Sequence, residues 1–577
     1  MEKRLILAIV LSFLVLMGYQ YFFVKPNKAD LNPPVPVTAP PSTPVPGTAG
    51  AIREQAKPAP AESVPAPDPR AVAGQAETDI VVETSLYRAV WSNKGGVLKS
   101  WTLKKHKSIR REPQGGRGLG GFIKNLFATI LGRTGPAVVE DLELVPARAS
   151  EMGRYPFSLG LADAALTGHL NTSLFQAPEA GLDLADGAKG EIRFVYSDGA
   201  SVRAEKTFGF TGGSYVMTTE LRVWKDGQPV EASVVWGPGI GNPTPAEAKK
   251  SYSATLGSAV YTGGKVYRMN EKKFKPGENT YNFVDWAAYE ENYFVALFAL
   301  PPQKGQAVFQ QEAGDAAAGQ LPAHFLYVTE PRQAFIGPKE SDALKIFGLD
   351  AKKVVNYGFF GSIAEILLVV VRGCHKLVPN WGVSIILLTL IIKIIFFPLT
   401  YSSTKSMAKM ADLQPKIKAL RAKYKKAKTD IDQRRQMNEE MMKLYKENGV
   451  NPAGGCLPLL IQMPVMWGVF RMLVVAVEFR HAPFMLWIQD LSVMDPLYVT
   501  PVLMGITQYI SQKMTPSSAD PAQAKMMLFM PFVMTIFFIN FQSGLVLYWL
   551  TTNVLQIGQQ ALMNKMMHRH PVTAKAR

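Results

Sequence analysis

The chain has 577 residues, 63 Lys and Arg against 46 Asp and Glu for a net charge of +17, 47% hydrophobic residues and 19% charged ones. That apolar fraction excludes a disordered chain, the lack of a Gly-X-Y repeat excludes collagen, and Cys374 and Cys456 alone cannot build a disulfide scaffold. Residues 526–563 contain no Asp, Glu, Lys or Arg, so the composition is that of a membrane protein carrying a soluble domain.

Leu5 to Val24 is uncharged and follows Lys3 and Arg4. It is long for the apolar core of a cleaved signal, and Gly18-Tyr19-Gln20-Tyr21-Phe22 offers no small-x-small cleavage site. The reading is an uncleaved anchor over 1–25 with its N-terminus inside. Twelve prolines between Pro33 and Pro69 make residues 26–79 an extended, semi-rigid linker.

Residues 80–350 read as β. Tyr87, Ala89 and Trp91 alternate before Asn93-Lys94-Gly95-Gly96. Ile192, Phe194 and Tyr196 alternate before Ser197-Asp198-Gly199, and Val202, Ala204, Lys206 and Phe208 leave that turn. Period-two apolar positions around Gly-containing turns predict hairpins, and several short strands predict a large sandwich. Six glycines within Arg110–Arg133 mark an insertion.

Phe359 to Val378 is apolar but interrupted by Glu365, Arg372, His375 and Lys376, which predicts an amphipathic helix in the membrane interface, assigned to 351–380. Spans follow at 381–401 and within 450–563: Gly382 to Tyr401, Leu457 to Val477, Leu497 to Gln512, Met526 to Phe541 and Leu545 to Met563. Two of these have about 16 residues, roughly 24 Å of helix against a ~30 Å hydrocarbon core, which implies a locally thinned bilayer. Residues 402–449 predict a basic helical hairpin with Leu413, Ile417, Leu420 and Tyr424 on one arm and Met437, Met441 and Leu444 on the other. Its methionines either pack the hairpin or form an adaptable apolar surface. A basic tail, 564–577, closes the chain.

Charge sets the orientation. Residues 81–350 hold 30 basic and 28 acidic groups, whereas 405–448 hold 13 and 6, and Lys565 to Arg577 adds four basic groups and no acid. Short basic loops stay inside while long neutral domains cross. The hairpin and both termini are therefore expected in the cytoplasm and 80–350 outside. Basic segments also attract RNA and anionic lipid, so a ribosome contact is compatible with the pattern.

Lys393 is the most informative residue, inside a span and eight residues before its cytoplasmic end. A cation there costs ~2.5–3.5 kcal/mol on insertion scales, so it either snorkels or faces water. Thr389 lies one turn away, Gln462 lies one turn into the next span, and Trp549, Asn553, Gln556 and Gln560 form one helical stripe. The stripe is either glue between helices or the wall of a water-filled groove open inward. Arg471 either snorkels outward, pairs with Glu478 or faces the groove. No GxxxxGK[ST], HExxH, GxSxG or zinc-spaced Cys/His set occurs, so no enzymatic activity, cofactor or metal is expected.

Several motifs then coincide. Asn451-Pro-Ala-Gly-Gly-Cys-Leu-Pro-Leu-Leu-Ile-Gln-Met-Pro464, Pro398-Leu-Thr-Tyr-Ser-Ser-Thr-Lys-Ser-Met-Ala-Lys-Met410, Leu413-Gln-Pro-Lys-Ile417, Arg480-His-Ala-Pro-Phe484 and Ser543-Gly-Leu-Val-Leu-Tyr548 resemble the signatures of YidC-type membrane protein insertases. The match is close over 357–563 and looser over the remainder, which resembles the long form of Gram-negative inner membranes.

The resemblance implies a polytopic α-helical membrane protein with one N-terminal anchor, a five-helix core around a hydrophilic groove, and a β-supersandwich periplasmic domain. It implies energy-independent insertion and chaperoning of nascent membrane proteins, alone or with the Sec translocon, in contact with membrane lipids. It places the groove cation at Lys393, where relatives usually carry arginine, and substrate contacts at Thr389 and Trp549, the latter often tyrosine. Lysine keeps the charge but lacks the bidentate fork, so general attraction rather than tight carboxylate pairing is expected. Two other classes fit the sequence less well. A secondary transporter would show inverted repeats or intramembrane carboxylates, and a carbohydrate-binding outer domain would need a single anchor.

Overall fold

The computed structural model describes residues 71–110, 138–241, 257–270, 279–312, 322–424, 430–449, 457–514 and 521–568. The predicted anchor, the linker up to residue 70, the glycine-rich stretch after Arg110, Asn451 to Cys456 and the tail beyond 568 lie outside them. The chain divides into a β unit ending at Val354 and a helical unit beginning at Val355, which also takes in Lys107–Glu140.

Both predicted hairpins form. Tyr87–Ser92 pairs antiparallel with Val97–Arg110, with Ser92 opposite Val97 across a turn in which Gly95 and Gly96 take φ of 72° and 57°. A side chain at Gly95 would strike the Asn171 carbonyl, so glycine is required there twice over. Lys189–Ser197 pairs with Val202–Thr211. Its turn is fixed by the Asp198 carboxylate, which accepts the backbone N–H groups of Ala200, Ser201 and Val202 at 2.8–2.9 Å.

The described strands form three sheets of five, nine and five strands. The largest runs from the edge pair Lys265–Asn270 and Gly257–Thr262 to the opposite edge strand Lys189–Ser197. Aromatic residues fill the space between sheets: Trp91 lies 4.2 Å from Phe208 and Trp236 lies 6.1 Å from Phe298. Alternation along Val202–Thr211 carries Lys206 into this core, where it is 1% exposed. Its ammonium donates to the carbonyls of Gly95 (2.6 Å), Gly96 (3.2 Å) and Phe157 (2.8 Å), and burial pushes its pKa down to about 7. Among the described residues, three short α-helices, α1 (Arg148–Met152), α2 (Ala164–Thr172) and α3 (Ser341–Phe347), decorate the unit.

The helical unit contains α4 (Gly361–Leu377), α5 (Trp381–Asp412), α6 (Gln414–Lys423), α7 (Ile431–Glu447), α8 (Leu457–Val475), α9 (Val499–Met514), α10 (Pro521–Phe538) and α11 (Ser543–His568). In α4, Ala364, Leu367, Leu368 and Val371 are buried, whereas Glu365 and Lys376 are exposed together with Ile366, Val369 and Leu377. By length and hydropathy together, α5 is the one described helix that qualifies as a span, and Ile461–Val475 and Met527–Phe538 are shorter apolar stretches. The 16 residues of α9 make roughly 24 Å of helix.

The helix that carries the predicted 381–401 span runs on through Pro398 to Asp412, so the first arm of the predicted 402–449 hairpin begins as an extension of α5 and α6 follows one residue later. The continuation is favoured by packing: Met410, Leu413 and Ile417 share a small core with Met441, Leu444 and Tyr445. Lys423 and Tyr424 both bond Glu440, at 2.7 and 2.8 Å. Of the readings open for Arg471, pairing with Glu478 is not the one found. The guanidinium of Arg372 on α4 reaches it, with Nε at 2.8 Å, while Arg471 donates to the carbonyls of Asn356 and Tyr357. Three-dimensional packing of α4 on α8 outweighs sequence proximity.

Candidate functional site

The site is built on α5 and α11. Asn380 caps α5, accepting the N–H of Val383 at 3.0 Å and donating to the Phe484 carbonyl at 2.8 Å. Close packing at this end needs Gly382, because a Cβ there would lie 2.1 Å from the Phe484 ring. Ser543 opens α11 and donates to the carbonyls of Asp490 and Val493 at 2.9 and 2.6 Å.

The loop that holds both ends centres on Asp490. Its carboxylate accepts His481 Nδ1–H (2.7 Å) and N–H (3.0 Å) and the N–H (2.8 Å) and hydroxyl (2.7 Å) of Ser492. Burial raises the Asp490 carboxyl, but these bonds prevail and hold it below the usual carboxylate range.

Down the helices from that capped end, Lys393 of α5 donates to Gln556 Oε1 of α11 at 2.8 Å. Of the six residues singled out from sequence, these two meet directly, and both are half-buried. Asn553, one turn earlier, turns the other way and donates to the Met504 carbonyl of α9 at 3.1 Å. The polar stripe therefore splits between an interhelical bond and a contact with the cation. Gln560 is fully buried and bonds Asn564 at 2.9 Å. Thr389 is 1% exposed and its hydroxyl returns to the Ile385 carbonyl of its own helix at 2.7 Å. Gln462 is half-buried on α8.

Trp549 stands seven residues before Gln556, roughly 10 Å along the helix. It is packed against Phe538 of α10 at 4.9 Å. Phe538 touches Phe541 at 5.1 Å, and Phe541 lies 6.3 Å from Phe470 of α8. Aromatic rings from three helices thus bound the polar pair on the capped side. Sequence reading missed this cluster, Asp490 and the Arg372–Glu478 pair; only the motif around His481 and the isolated Glu478 signalled them.

Residues 373–570 match the 60Kd inner membrane protein family and 140–370 match the YidC periplasmic domain family. The membrane protein insertase YidC of Citrifermentans bemidjiense is 36% identical over 591 residues, covering 98% of this chain and 99% of that protein. The chain belongs to the YidC family of membrane protein insertases. The YidC of Syntrophus aciditrophicus is 34% identical over 98% of this chain and all of its own. A crystal structure of an active YidC insertase with its first transmembrane domain resolved aligns over 85% of this chain and 93% of that one, at 19% identity and a TM-score of 0.34. The family assignment rests on the sequence relatives. The periplasmic-domain match thus covers the β unit from residue 140 and runs on into α4, and the inner-membrane-protein match covers the rest of the helical unit to residue 570.

Proposed function

We propose that this chain inserts nascent membrane proteins, and assists their folding, through a hydrated space around Lys393 that opens to the cytoplasm and to lipid. The observation that carries the reading is the 2.8 Å bond between Lys393 and Gln556 on facing helices, which keeps a cation inside the bundle rather than leaving it to snorkel. A short hydrophilic tail of the substrate enters from inside and is drawn by the ammonium. It then crosses only the thinned remainder of the bilayer beyond Trp549. The substrate's apolar helix passes into lipid against the spans, and its burial, at ~25 cal/mol per Å², drives the step without nucleotide.

Gln462, Thr389, Trp549 and Asn553 line or support this path. Gln462 offers polar contact on α8, Asn553 ties α11 to α9 beside it, and Thr389 is a buried polar position one turn from Lys393 on α5. The chain acts without cofactor and without an enzymatic step. It spans the bacterial inner membrane several times with both termini in the cytoplasm, and it works alone or beside the Sec translocon. Its basic hairpin and tail offer surfaces for a ribosome. Residues 80–350 lie outside the membrane and 402–449 inside the cell.

The test is reconstitution of the full chain in vesicles. A small single-span substrate with an acidic outer tail should insert without ATP or an ion gradient. A requirement for either, or no gain over empty vesicles, would overturn the reading.

A further inference from the structure

One end of the β unit carries features that neither its core nor the insertion step explains. Phe283, Ile346 and Leu349 are 63%, 65% and 49% exposed, in a unit whose other large side chains are mostly buried. They belong to one place. The Phe283 carbonyl accepts the Thr262 hydroxyl at 2.6 Å, the Leu349 carbonyl accepts Trp286 Nε1–H at 2.9 Å, and Tyr261 stacks on Trp286 at 5.4 Å. Ile346 is in α3, three residues before Leu349.

The backbone there is strained. Phe283, Leu349 and Asp350 take φ of 56°, 48° and 55°, and Gln303, in the turn whose Gly305 carbonyl bonds Val284, takes 63°. Left-handed φ is unfavourable for bulky side chains and persists where surrounding structure enforces it. Here the enforcing contacts are the bonds from Trp286 to Leu349 and from Tyr261 to Asp350, the latter 2.8 Å. The result is that apolar side chains are held out of the core instead of relaxing into it.

Charge surrounds them. Lys265, Lys304, Lys345, Lys352 and Lys353 are all exposed. Among the described residues the acids at this end are fewer: Asp342 and Asp350, paired with Lys345 and Lys353 at 2.7 and 2.8 Å, and half-buried Asp285. An apolar tip ringed by lysine is the composition of a surface that enters the headgroup layer of an anionic bilayer.

Chain connectivity names the occupant. The β unit ends at Val354 and α4 starts at Gly361, a reach of roughly 25 Å even fully extended. Leu349 lies five residues before Val354, and Ile366, Val369 and Leu377 of α4 are exposed apolar side chains. A tether that short keeps this end of the unit within reach of the membrane surface.

We propose that Phe283, Ile346 and Leu349, with the five lysines around them, dock this end of the periplasmic domain into the outer surface of an anionic bilayer. The test places a nitroxide on Phe283→Cys and, separately, Leu349→Cys in the full chain, in nanodiscs of phosphatidylethanolamine and phosphatidylglycerol. A third label replaces Glu191, exposed on the opposite edge strand Lys189–Ser197. Relaxation by oxygen, which concentrates in lipid, should exceed relaxation by a water-soluble nickel chelate at 283 and 349, with the reverse at 191. The combined change Lys345→Glu, Lys352→Glu and Lys353→Glu should shift 283 and 349 toward the nickel pattern by several-fold. Nickel dominating at both positions in the parent would overturn the proposal and would point to a protein partner for the patch. Both sites are surface positions, so the labelled chains should fold as the parent does. The outcome is also independent of whether Lys393 is hydrated.

Discussion

Reversing the charge at position 393 isolates its electrostatic role. A substrate carboxylate about 4 Å from the Lys393 ammonium gains ~1 kcal/mol in a water-like medium and ~4 kcal/mol at an effective dielectric of 20. Lys393→Glu turns that attraction into repulsion of similar size, so the swing is ~2 kcal/mol if the space is wet, or about 30-fold in the rate of tail capture. At the lower dielectric the swing would be ~8 kcal/mol and insertion would stop. Lys393→Arg keeps the charge and should stay near the parent. Lys393→Gln removes attraction without adding repulsion and should fall between. The assay is initial insertion rate in vesicles for paired substrates whose outer tails carry either two Asp or two Asn. The Glu variant should discriminate against the Asp tail by tens-fold while handling the Asn tail within a few-fold. Equal rates for Glu and Arg variants on the acidic tail would refute the electrostatic role while leaving the polar pair with Gln556 intact.

Three other outcomes follow from the same geometry. Lys206→Met removes the donor shared by three buried carbonyls at ~1–3 kcal/mol for each group left unpaired, and should lower the unfolding temperature of the β unit by more than 10 °C by calorimetry. Because burial depresses the Lys206 pKa to about 7 from 10.5, the unfolded state binds the extra proton between those values. The group's contribution to stability therefore rises with pH across roughly 7 to 10.5, and a denaturant titration at pH 7 and pH 9 should show the increase in the parent but not in Lys206→Met. The Arg372–Glu478 pair joins α4 to the turn after α8; Arg372→Gln and Glu478→Gln should each destabilise by ~1–3 kcal/mol, and the double variant by clearly less than their sum. Gly382→Ala meets the Phe484 ring, so it should lower the melting temperature and increase protease cutting within 480–498, with Phe484→Ala partly restoring both.

Local pattern made part of this structure legible from sequence. Strand alternation with glycine turns identified both hairpins, because period two and φ above zero are properties of a few consecutive residues. The same alternation put Lys206 on the buried face, although nothing local announced three carbonyl partners. On α11, helical spacing found the face holding Asn553 and Gln556 but not its division. A polar stripe is broad enough to touch two neighbours, and which one each amide meets depends on how α5 and α9 pack. Arg372 finding Glu478 across 106 positions, and Asp490 gathering a loop onto Ser543, are tertiary pairings without a sequence period. That α5 runs unbroken from the span into the hairpin's first arm was not legible, because it depends on Met410 and Leu413 packing with Met441, Leu444 and Tyr445 of the other arm.

The most direct measurement is labelling of single cysteines at 389, 393, 462 and 556 by a membrane-impermeant thiol reagent applied from the cytoplasmic side. Positions 393, 462 and 556 should react at rates near those of the exposed hairpin, and 389, buried on α5, should lag well behind. If 393 stays unreactive to that reagent while a lipid-soluble one modifies it, the cation faces acyl chains and the inward-open polar space does not exist.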